Sequence, residues 1–136
     1  MMETVQLLNE KNHFLEKFYT LNERELIRLS QGEFEKIEIF YYQREDILKI
    51  IKYIDSQIMK IQSTESAIKK SFSADDQSQV KKCLKEKDMF VSKIIEQDIQ
   101  IISLIERLKT NVIKELKTVR ETKRAFSGYR SGLTID

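Results

Sequence analysis

His13 and Cys83 are the one histidine and the one cysteine in the chain. A hydrolytic triad or a histidine-bearing metal site would have to be built around them. A lone cysteine allows no disulfide within the chain and no cysteine-based zinc cluster, and it fits a reducing compartment. No glycine-rich phosphate loop, nucleophile elbow or His-Glu-x-x-His spacing occurs. The Glu-x-x-His pairs of a di-metal helical bundle are also missing. His13 follows the polar run Asn9–Asn12 and reads as a surface residue. No catalytic residue, cofactor or metal ligand is expected, so the chain reads as a binding protein and not an enzyme.

The informative charges are Arg44 and Asp98, because each interrupts a row of branched aliphatic residues. Positions 37, 40, 44, 47, 51, 54, 58, 61, 65 and 68 are apolar except at Arg44 and Glu65. Positions 80, 84, 87, 91, 94, 98, 101, 105, 108 and 112 are apolar except at Lys87 and Asp98. These are near-heptad spacings, the signature of amphipathic helices that pack side by side. If the two helices run antiparallel from a hinge near residues 72 to 73, Arg44 and Asp98 fall in adjacent layers. An isolated buried charge is too costly, so a buried, register-fixing ion pair is expected. Removing one member of a fully buried pair would cost about 3 to 5 kcal/mol.

A different chemistry gathers near the C-terminus. Lys114, Lys117, Arg120, Lys123, Arg124 and Arg130 outnumber Glu115 and Glu121 there. Part of this charge suits the last turns of a helix, where cations meet the negative end of the macrodipole. Val112, Leu116, Val119 and Phe126 add an apolar face, with Tyr129 just beyond. An apolar face with a basic rim fits an amphipathic partner segment. The interleaved glutamates argue against nucleic acid or a membrane surface.

The elements that position these residues follow from what the chain lacks. Its 136 residues include no proline and three glycines, with 34% charged and 40% apolar side chains. Turn chemistry for a sandwich or a barrel is absent, which leaves helices. Lysine plus arginine exceed aspartate plus glutamate by 24 to 22, too even a balance for an obligate nucleic-acid binder. No apolar run is long enough to cross a bilayer, and Met1-Met2-Glu3-Thr4-Val5-Gln6 does not open like a secretory signal. A cytoplasmic address is expected. Gly32 is placed to stop a first helix, and Ser73, Asp75 or Asp76 to cap a third. The expected architecture is all-α: one domain over 1–136, an antiparallel bundle of three long helices at about 3–30, 33–70 and 76–127. Gly128 is expected to end the third helix, leaving 128–136 as a short tail. Tyr129, Leu133 and Ile135 in that tail would be a small, displaceable cover for the apolar face.

Two segments bear a family resemblance. Ile95-Glu96-Gln97-Asp98-Ile99-Gln100-Ile101-Ile102, followed by Lys123-Arg124-Ala125-Phe126-Ser127-Gly128-Tyr129, resembles the last long helix of FliT-type flagellar export chaperones. Gly32-Glu33-Phe34 and Gln43-Arg44-Glu45-Asp46-Ile47-Leu48 resemble the family's second-helix entry. The likeness covers residues 24–54 and 91–136, and the tail after Tyr129 is shorter than in that family. The resemblance implies a cytoplasmic bundle that holds the amphipathic C-terminal segment of a filament-cap protein. It also implies delivery of that client to the export gate and contact with the export ATPase. Two other readings stay open: a chaperone for hook-filament junction proteins, and a coiled-coil adaptor that self-associates as a homodimer.

Overall fold

The computed structural model describes the backbone of residues 2–68 and 73–134, and the side chains of 3–64 and 73–125. The described chain is all-α, with three helices: α1 (Met2–Ser30), α2 (Ile37–Ile68) and α3 (Ala74–Thr134). It divides into two compact units, Met1–Ile101 and Ile102–Asp136.

In the first unit, the chain reverses after α1 through a Schellman motif. Gly32 takes φ +79°, open to glycine without a Cβ clash. The Gly32 and Glu33 N–H groups then donate to the Leu29 and Arg28 carbonyls at 3.0 and 2.9 Å. Residues 33–36 complete the reversal outside any helix, so α2 starts at Ile37 and not at Glu33. The first acceptor of α2 is the Lys36 carbonyl, bonded by the Phe40 N–H at 3.0 Å. Before α3, Ser73 alone supplies the N-cap: its Oγ accepts from the Asp76 N–H at 3.1 Å. Asp75 and Asp76 fill the first turn, where the macrodipole favours carboxylates.

Helix directions follow from the cross-contacts. Asn12 and Asn22 of α1 bond the Cys83 carbonyl and the Gln97 side chain of α3, so the numbering rises together and these helices run parallel. Lys11 pairs with Asp55 at 2.7 Å and Arg44 with Asp98 at 3.2 Å, so α2 runs antiparallel to both. The core forms two layers. Leu8, Ile54, Ile58 and Cys83 pack with Leu7, Phe14 and Val80. Leu15, Phe18, Ile51 and Ile94 pack with Ile47, Leu48 and Phe90.

The buried seam of α3 differs from the apolar row read in the sequence. Cys83, Ile94, Gln97 and Ile101 are buried, whereas Leu84 and Val91 stand exposed. A helix held between two neighbours turns a face toward each, and α1 draws in Cys83 and Gln97, one position before Leu84 and Asp98. The end of α3 differs too. It runs through Gly128 and Gly132 to Thr134, so no reversal occurs at Gly128. A glycine inside a helix costs only about 1 kcal/mol relative to alanine, too little to stop a long proline-free segment.

Candidate functional site

In the second unit, residues 102–125 hold neither glycine nor proline and are rich in Lys, Glu, Arg and Leu, which favour helix strongly. Val112 (38% exposed), Ile113 (56%), Leu116 (53%) and Val119 (55%) form one row on that helix, at three- and four-residue intervals. Half-buried Ile105 and Leu108 extend the row toward the N-terminal side. Thr110, Thr118 and Thr122 close their hydroxyls onto the carbonyls four residues earlier, at 2.9 to 3.0 Å. Of the residues singled out in the sequence, the structure brings Val112, Leu116 and Val119 together. Ile113 joins them, one residue beyond the strict heptad. Phe126 and Tyr129, with the proposed cover Leu133 and Ile135, lie outside the described side chains.

Arg44 and Asp98 meet in the first unit. The guanidinium Nη2 donates to Asp98 Oδ2 at 3.2 Å. It also lies over the Phe18 ring at 4.8 Å and the Phe40 ring at 5.3 Å. The pair is not fully buried: the side chains are 18% and 32% exposed. Water therefore reaches both ions, and the worth of the pair falls to about 1 to 2 kcal/mol. Arg44 and Asp98 flank a cavity of about 220 Å³ floored by Leu15 and Phe18 and walled by Leu48, Val91 and Ile95.

A polar seam on α1 escaped an apolar count. Thr4, Asn12, Asn22 and Glu25 are buried beside Leu8, Leu15, Phe18 and Leu29. Asn22 Nδ2 donates to Gln97 Oε1 at 3.1 Å and to Asp98 Oδ1 at 3.3 Å. Gln97 Nε2 donates onward to the Tyr19 carbonyl at 3.0 Å and to Glu23 Oε1 at 2.8 Å. Thr4 Oγ1, Asn12 Oδ1, Asn22 Oδ1 and Glu25 Oε1 are the buried side-chain oxygens without a protein partner among the described residues, and all four belong to α1. The signal was available in the spacing 4, 8, 12, 15, 18, 22, 25, 29, which is a heptad seam regardless of polarity.

Glu25 is 1% exposed, and its one partner is Arg28 Nη1 at 3.5 Å from Oε2. Burial pushes its pKa above the ordinary 4.5, with Arg28 opposing in part. Between the unfolded and the raised folded value the native state holds the extra proton, so stability falls as pH rises. Lowering the pH from neutral toward the ordinary carboxylate range should stabilise the wild type relative to Glu25→Gln, as read by urea unfolding at each pH. Parallel profiles for the two proteins would show that Glu25 does not titrate against the fold.

His13 is exposed, meets the Phe14 ring edge-on at 5.5 Å, and borders an open polar groove with Lys17, Arg24 and Asp46. Cys83 is buried, its Sγ donates to Asn9 Oδ1 at 3.2 Å, and burial raises its pKa, which suppresses the thiolate. Among the described residues no three His, Cys, Asp or Glu side chains converge as metal ligands, and no helix is long and apolar enough to cross a membrane. No family model matches the sequence, and neither a curated protein nor a solved structure matches it.

Proposed function

We propose that this chain is a cytoplasmic chaperone of the flagellar, type III export kind. It binds an amphipathic segment of an export client, the filament-cap protein by the resemblance above, and hands it to the export apparatus through the export ATPase. One observation carries this reading: the row of Val112, Ile113, Leu116 and Val119 stands open to solvent on a helix with a basic rim. Each such side chain gains roughly 1.5 to 3 kcal/mol when a partner buries it completely. A client helix laid along the row would bury its own apolar stripe at the same time, which keeps an unfolded segment from aggregating.

The test is a titration of a labelled C-terminal segment from a cap-type client against the wild type and Val119→Asp. The aspartate variant should bind at least about tenfold more weakly, a loss of about 1.4 kcal/mol. Its thermal unfolding should match the wild type, because Val119 is exposed in the free protein. Equal binding by the two proteins would place the client elsewhere.

A further inference from the structure

The charges around the apolar row have no structural task in the described protein. Residues 102–125 carry seven basic side chains (Arg107, Lys109, Lys114, Lys117, Arg120, Lys123, Arg124) and three acidic ones, a net +4. Residues 1–101 hold 16 basic and 18 acidic residues, a net −2, so the positive excess belongs to the second unit. Helix termination does not account for it. The helix continues to Thr134, its last turn has no basic residue, and the macrodipole acts only within that last turn. Intramolecular pairing does not account for it either. The salt bridges among the described residues join side chains between Lys11 and Asp98, and none involves a residue of 102–125.

Three of these cations border the row directly. Lys109 stands three residues before Val112 and four before Ile113; Arg120 and Lys123 stand four residues after Leu116 and Val119. Glu115 lies within the row itself, three residues after Val112 and four before Val119. Lipid would bury that carboxylate against acyl chains without a partner, whereas a protein helix can meet it with a single cation.

We infer that the segment bound along Val112, Leu116 and Val119 is an acidic amphipathic helix, its carboxylates flanking an apolar stripe and facing Lys109, Arg120 and Lys123. This inference rests on the chaperone reading and deepens it by specifying the client's chemistry. A second copy of the chain docking through the same row is disfavoured, since it would set one +4 segment against another.

The experiment uses the full chain and three synthetic helices with one shared apolar stripe, flanked by Glu, Gln or Lys. Binding is read by fluorescence anisotropy at about 0.05 and about 0.5 M salt. The Glu helix should bind at least about tenfold more tightly than the Gln helix at low salt, and the advantage should collapse at high salt. The triple variant Lys109→Glu, Arg120→Glu, Lys123→Glu should prefer the Lys helix, with an unchanged circular dichroism spectrum as its check on folding. Equal affinity for the Glu and Gln helices, both lost in Val119→Asp, would overturn the acidic assignment and leave the chaperone reading standing. Failure of all three helices to bind would overturn both. Tighter capture by phosphatidylserine vesicles than by the Glu helix, or a concentration-dependent dimer broken by Val119→Asp, would also overturn the inference.

Discussion

Gln97→Leu is expected to destabilise the first unit by about 2 to 3 kcal/mol, and adding Asn22→Leu should recover most of that loss. Gln97 accepts from Asn22, both side chains being buried, and donates to the Tyr19 carbonyl and to Glu23 at the half-buried edge of the seam. A leucine there leaves Asn22 Nδ2 with one acceptor, Asp98 Oδ1 at 3.3 Å, while Asn22 Oδ1 already lacks a protein donor. Each stranded buried group costs roughly 1 to 3 kcal/mol, yet an apolar pair of similar volume is close to neutral. Urea unfolding of the wild type, both single variants and the double variant measures the coupling directly. Additive effects would mean that Asn22 and Gln97 do not act as a unit.

Phe18→Ala should cost about 3 to 5 kcal/mol, the largest effect expected of any one side chain. Phe18 is buried in the layer with Leu15, Ile51 and Ile94, so truncation leaves a cavity where three helices meet. It also removes the ring beneath the Arg44 guanidinium, the group that ties α2 to Asp98 on α3. Phe18→Leu keeps most of the volume and loses the ring, so its cost separates packing from the cation–π contact. A loss below about 1.5 kcal/mol for Phe18→Ala would contradict the assigned packing.

The sequence was most legible where one physical effect acts alone. No proline and few glycines forced helices, Gly32 marked a left-handed turn, and Ser73, Asp75 and Asp76 marked where a cap would fall, of which the structure uses Ser73. The register of Arg44 and Asp98 was readable because a charge inside an aliphatic row needs a partner. Legibility failed where two effects compete. The polar members of the α1 seam, Asn12, Asn22 and Glu25, do not register in a hydrophobic count, although their spacing matches Leu8, Leu15 and Leu29. Leu84 and Val91 seemed to be core because one seam was assumed, whereas α3 answers to two neighbours. Gly128 looked like a stop because a lone glycine signals local freedom, but the helix on either side outweighs it. In the candidate site, Val112, Leu116 and Val119 were visible from periodicity. The independence of their basic rim from helix termination was not, since it depends on where α3 ends.

On the proposed function, the C-terminal part of α3 is the surface a client covers. Amide hydrogen exchange on the full chain, with and without a saturating acidic amphipathic client segment, tests it most directly. New protection is expected in residues 105–123, with little change around the Leu15, Phe18, Ile51 and Ile94 core. Unchanged exchange in 105–123, or new protection confined to Leu48, Val91 and Ile95 beside the Arg44–Asp98 pair, would contradict it.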